Sequence, residues 1–226
     1  MRIGLALAWL LLAAAPTLAQ VPPSADEVAH YDGLFAASVR NDAARITRLA
    51  ASGTAVDARD GHGRTPLHVA AYAKAHDAMR ALVRAGANPN ALEHDRYDIV
   101  TIAAVADDVP TLDVALALGG SARNVTSRYD GTALIAAAHL GHDGVVRTLV
   151  RAGAPLDHVN NLGWTALIES IVLGDGGARH VATMKALIEG GADVNRADRS
   201  GATPLALARG RGFGAMVALL ERAGAR

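Results

Sequence analysis

The residues best suited to chemistry are nine histidines and a few carboxylates; the 226-residue chain has no cysteine. That absence removes disulfides, thiolate-bound zinc, iron–sulfur clusters and a thiol nucleophile. His139 and His142 stand three apart, a spacing that puts two rings on one face of a continuous helix. Gly141 separates them and no third ligand follows at a convincing spacing, so no metal site is expected. Asp107-Asp108 reads as the start of a helix and not as an acid–base pair. Gly174, Gly176 and Gly177 make a glycine-rich stretch, but the lysine and helix of a phosphate loop do not follow. Glu169, Asp175 and His180 are the one set around which a hydrolytic or metal-dependent site could be built. No nucleophile or zinc-protease motif accompanies them, and no cofactor is implied.

The elements that would position these residues begin after a leader. Arg2 is followed by an uncharged apolar run, Ile3 to Ala15. Thr17 and Ala19 then fit the −3 and −1 positions of a small-residue cleavage site. The run is too short, and too soon interrupted by Pro16, for a membrane span. Residues 1–19 are therefore expected to be a signal peptide cleaved after Ala19, with 20–26 a linker. The mature protein is expected in the periplasm or secreted, off the membrane, in a bacterium whose alanine- and arginine-rich style suggests a GC-rich genome. An uncleaved anchor is the alternative, and it too puts the folded part outside the cytoplasm.

Lysine plus arginine equal aspartate plus glutamate, 22 each. A neutral chain has no global field to hold phosphate, so nucleic acid is not an expected partner. Alanine, leucine, valine and glycine dominate over aromatic residues, a composition for closely packed short helices.

Thr65-Pro66-Leu67-His68-Val69-Ala70-Ala71 recurs in altered form at Thr203-Pro204-Leu205, Thr132-Ala133-Leu134 and Thr165-Ala166-Leu167. Asp98 and Asp32 hold the same register, and the starts at 32, 65, 98, 132, 165 and 203 are 33, 33, 34, 33 and 38 residues apart. A glycine falls 21 residues after five starts (Gly53, Gly86, Gly119, Gly153, Gly224); in the fifth unit Gly191 comes 26 residues on, so five residues are inserted there. Thr or Asp caps a helix, proline suits its first position, and the glycine ends the second helix. The second unit is expected to hold helices over about 66–74 and 76–84, with Met79, Leu82 and Val83 facing inward. Such hairpins are too short to stand alone and are stable only as a stack.

This register resembles the ankyrin-repeat family, carried by residues 63–71, Leu82 to Asn90, Gly190 to Asn195 and Gly201 to Leu205. The resemblance implies an all-α solenoid of about six helix–turn–helix units with β-hairpin-like finger loops. Its domain is 27–226, in units of approximately 27–58, 59–91, 92–124, 125–158, 159–196 and 197–226. It also implies a non-catalytic, monomeric protein-binding module with a protein partner, which uses finger tips and the concave face of the first helices. Neutralising an exported enzyme or toxin, in the manner of an inhibitor or immunity protein, is the alternative role. The first unit lacks Thr-Pro and reads as a cap. The last has no separate cap, so its outer face must be polar or covered.

Carried onto this chain, the variable finger and helix-end positions give a partner-contacting set. It comprises Trp164, Tyr97, Tyr129, Tyr72 and Leu162, with Arg64, Arg96, Arg128 and His62 at the rim and Asp175 in the insertion. The position of Trp164 holds Arg64, Tyr97, Gly131 and Ala202 in other units, so the fold does not demand tryptophan there. Binding anchor and packing ring both remain open for it. The insertion is either a customised contact loop or a tolerated surface loop. Glu169 interrupts an apolar helix. It is either half-buried, with the inserted glycines as donors, or exposed on the groove face.

Overall fold

The computed structural model describes residues 20–226. The expected signal peptide and its cleavage site lie outside the described residues. Among the described residues, thirteen helices and one short hairpin follow one another. A preliminary helix, α1 (Ala25–His30), precedes six helix pairs. These are α2 (Gly33–Val39) with α3 (Ala43–Ala51), α4 (Pro66–Tyr72) with α5 (His76–Arg84), and α6 (Ile99–Val105) with α7 (Val109–Ala117). Then come α8 (Ala133–His139) with α9 (Asp143–Arg151), α10 (Ala166–Val172) with α11 (Ala178–Glu189), and α12 (Pro204–Gly210) with α13 (Gly214–Arg222). β1 (Val125–Thr126) and β2 (Gly131–Thr132) form an antiparallel pair in the finger before α8, with Val125 opposite Thr132.

Capping sets the register. Thr65, Asp98, Thr132, Thr165 and Thr203 each accept from the backbone N–H three residues on. Asp32 stands at the equivalent place but makes no side-chain cap bond. Each second helix ends before a left-handed glycine, as at Gly86 with φ of 99°. First helices pack in one row and second helices in another. Leu67, Met79, Leu82, Leu134, Leu149, Leu167 and Leu187 lie in a core that runs unbroken through the units. Each such side chain contributes about 1.5–3 kcal/mol by leaving water. His68 joins neighbouring units. Its Nδ1 accepts from the Thr65 N–H at 3.0 Å, and its Nε2 donates to the Ala91 carbonyl at 2.9 Å. Burial lowers its pKa, so the ring is held neutral.

The finger loops share one device that the sequence reading did not identify. Five residues before the cap, a side-chain oxygen accepts two backbone N–H groups across the turn. Asp60 takes those of His62 and Arg64, Asn160 those of Leu162 and Trp164, and Asp198 those of Ser200 and Ala202. Glu93 does the same with its two oxygens for Asp95 and Tyr97.

The fifth-unit insertion is divided. Three of its five residues lengthen α11, which has 12 residues against 9 in the other second helices. The rest make a turn packed against its neighbours. A Cβ on Gly174 would stand 2.1 Å from the Ser170 carbonyl oxygen, and one on Gly176 would stand 2.4 Å from the Phe213 ring. The last unit closes the stack with small and polar exposed residues and an Arg209–Glu221 ion pair at 2.6 Å.

Residues 20–26 are not a free linker. Ser24 caps α1 in a capping box with Glu27. The buried Gln20 donates from Nε2 to the Thr101 carbonyl on α6, at 2.9 Å. The start of the described residues, 20–24 (hereafter the chain start), thus lies across the first helices of the second and third units.

Candidate functional site

The row of first helices is where the units differ most. Four residues after each cap stand Val69, Ile102, Ala136 and Leu207, all apolar; the fifth unit has Glu169 there. Glu169 is 6 % exposed. The one hydrogen bond to its carboxyl group among the described residues comes from Asn160, whose Nδ2 donates to Oε2 at 3.2 Å. Asn160 suits both tasks. Its carbonyl oxygen serves the finger turn, as aspartate does in the second and sixth units, while its amide N–H groups remain free to donate. An aspartate at this place would repel Glu169. Glu169 Oε1 faces His139 Nδ1 at 3.8 Å, too far for a hydrogen bond. Burial raises the Glu169 pKa to about 7, with Asn160 opposing in part. Burial also lowers that of His139, helped by His180 and His142. Both groups therefore favour their neutral forms.

Exposed apolar side chains flank this carboxyl group on two sides. Tyr129 and Leu162 sit on neighbouring fingers, which are joined by a bond from the Asn161 N–H to the Tyr129 carbonyl at 2.9 Å. Leu140 and Leu173 sit at the C-caps of α8 and α10. Trp164 is half-buried at the base of the fifth finger, beside the cap Thr165. The second and third units look different. There Arg64 is 1 % exposed, covered by the chain start. Its Nε donates to Asp60 at 2.7 Å, its Nη1 to the Val21 carbonyl at 3.2 Å, and its Nη2 to Glu27. Tyr31 completes the set through its hydroxyl, which donates to Asp60 at 2.7 Å.

Two models of ankyrin repeats match the sequence, a three-copy model at residues 100–198 and a single-repeat model at 62–94. The ankyrin repeat protein YahD of Escherichia coli is 34 % identical over 195 residues, spanning 86 % of this chain and 96 % of YahD. The chain belongs to the ankyrin-repeat family. An ankyrin repeat domain from Acinetobacter baumannii AYE has the same fold, with a TM-score of 0.79 and 40 % identity over 85 % of this chain and 98 % of that domain. The ankyrin repeat domain of Bcl-3, described as a unique member of the IkappaB protein family, superposes with a TM-score of 0.77. It is 28 % identical, over 87 % of this chain and 88 % of that one. Ankyrin repeats are protein–protein interaction modules, and ankyrin-repeat proteins are generally non-catalytic.

Within this ankyrin stack the expected contact residues separate. Tyr129, Leu162, Arg96, Arg128, His62 and Asp175 are exposed, and Trp164 and Tyr72 are partly so. Arg64 and Tyr97 are corrected: both are buried and neither presents a contact surface. Arg64 is enclosed because two carboxylates and a carbonyl of the chain start satisfy it; Tyr97 packs into the core between units. The rim arginines are also engaged. Arg96 pairs with Asp130 at 3.0 Å and Arg128 with Asp95 at 3.4 Å, which crosses two fingers. His62 lies 3.3 Å from Glu27.

Asp175 is exposed but works inside the insertion. It accepts from the Gly177 N–H and from His180 Nδ1, both at 2.8 Å. His180 Nε2 lies 2.9 Å from the His139 carbonyl oxygen, so the pair staples α11 to the fourth unit. The inserted glycines do not serve Glu169, whose donor is Asn160 instead. Among the described residues no group of three His, Asp or Glu side chains is disposed to hold a metal, and no helix is long and apolar enough to cross a membrane. Sequence reasoning missed Gln20 and Asn160. The within-chain comparison of Asn160 with Asp60 and Asp198 carried the signal for the second.

Proposed function

We propose that this protein is a non-catalytic binding module acting outside the cytoplasm, which receives a segment of a protein partner on the first-helix face and fingers of its fourth and fifth units. The observation that supports this site is that Tyr129, Leu162, Leu140 and Leu173 are exposed, and Trp164 half-buried, on those two units. Exposed apolar residues grouped in this way mark interaction surfaces. The chain start covers the corresponding face of the second and third units, which narrows the free face to this half. Arg128 and Arg96 border it as polar rim. The leader-like first 19 residues support export, and cell fractionation tests that part directly.

The binding test is affinity capture from periplasmic extract with the wild type and a Trp164→Ala variant side by side. Tryptophan anchors of this kind contribute about 2 kcal/mol or more, so the variant should bind its captured partner at least about thirtyfold more weakly at an unchanged melting temperature. Equal affinity with equal stability would show that Trp164 is a packing residue and move the site elsewhere.

A further inference from the structure

We propose that Glu169 is the receptor for a cationic side chain, the ammonium of a lysine or the guanidinium of an arginine, carried by the segment that binds the fourth and fifth units. The inference rests on the binding reading above and names the chemistry that the face selects. Four features carry it. Glu169 replaces an apolar residue at a position that is apolar in the other units, so the stack does not need a carboxylate there. Its side chain is more than nine-tenths buried, yet Oε1 has no donor among the described residues. Asn160 fixes Oε2, and so aims the free oxygen. Ala136, the equivalent residue on α8, is small and partly exposed.

Among the described residues no lysine or arginine reaches the Glu169 carboxyl. On α8, His139 is the nearest group, at 3.8 Å, and favours its neutral form. On α11, His180 is held by Asp175 and the His139 carbonyl. From the sixth unit, Arg209 is paired with Glu221, and the Arg211 guanidinium donates to the carbonyls of Val172 and Gly174. A buried carboxyl with one hydrogen bond gains most from a partner that brings both charge and donors. The flanking Tyr129–Leu162 and Leu140–Leu173 pairs would take apolar residues on either side of the basic one.

Binding should release a proton. With a pKa of about 7, the ionised fraction of Glu169 rises from about one-tenth at pH 6 to about nine-tenths at pH 8. Affinity for a basic segment should therefore fall about tenfold between pH 8 and pH 6. Protonating His139 would act in the same direction, which a His139→Asn variant separates.

The test is selection from a phage-displayed random dodecapeptide library at pH 8, against the wild type and against Glu169→Gln, with melting curves confirming that both are folded. The wild type should select peptides with a recurrent lysine or arginine that Glu169→Gln does not select. A selected peptide should bind Glu169→Gln at least tenfold more weakly. Its tenfold pH dependence should persist in His139→Asn and vanish in Glu169→Gln. Selected peptides without a basic residue, or equal binding to Glu169→Gln, would overturn this inference while leaving the binding face intact. No enrichment of any peptide would overturn both.

Discussion

Replacing Glu169 with glutamine should stabilise the fold, and by an amount set by pH. In the unfolded chain the carboxyl titrates near its ordinary value of 4.5; in the fold burial lifts it to about 7. The folded state therefore binds a proton that the unfolded state has already lost, and raising the pH through this window weakens the wild type. A shift of this size corresponds to about 3 kcal/mol at pH 8, and to about 1 kcal/mol at pH 5 where the unfolded carboxyl is only partly ionised. Glutamine retains an oxygen for Asn160 and carries no charge, so the variant escapes the penalty. Urea unfolding of both proteins at pH 5 and pH 8 measures the difference directly. The gap should open by about 2 kcal/mol between the two pH values. Other titrating groups such as His68 are common to both proteins and cancel in the comparison. A gap that is absent at pH 8, or that does not change with pH, would refute the claim that Glu169 is held in a desolvated site.

Arg64→Ala should cost about 3 kcal/mol or more in urea unfolding, because Asp60 would lose a charged partner and the chain start its anchor. Gly174→Ala should be destabilising by about 2 kcal/mol or more, since its Cβ meets the Ser170 carbonyl and the His180 ring; Gly210→Ala, at the end of α12 with open space around it, should raise stability by about 0.5 kcal/mol. Thermal melts of the two variants check the contrast. Gln20→Ala should leave the melting temperature of the stack nearly unchanged while speeding amide exchange in residues 20–24, as expected for a strap held by one side-chain bond.

The fold was legible because its determinants are local and repeated. The cap, the proline after it and the terminal glycine each act within one turn of backbone, so their spacing reveals the helices without knowledge of the packing. The second helix His76–Arg84 shows how closely this can work. The contact residues were harder to read because exposure depends on what lies over a position. Arg64 occupies the same finger position as Trp164, but the chain start folds onto the one and not onto the other. Nothing in the spacing of the repeats tells where a segment outside the repeats will settle. Tyr97 was misleading for a related reason: a finger residue next to a cap can turn inward as readily as outward.

The same comparison separates the roles of the unusual fifth unit. Its insertion is the larger departure in sequence, but its polar groups are satisfied within the fold: Asp175 by Gly177 and His180, the turn carbonyls by Arg211. These contacts explain the glycines and the lengthened α11 as packing against the units on either side. Glu169 is the smaller departure, a single side chain, and its Oε1 accepts no hydrogen bond among the described residues. Interior polar groups that retain such capacity are costly in the free protein. A stack that could hold an apolar residue at this position, as its other units do, holds instead a carboxylate together with the one asparagine that can support it. That pairing gains its physical sense when a donor arrives from outside, which is why the search for a partner should start from Glu169 and not from the insertion.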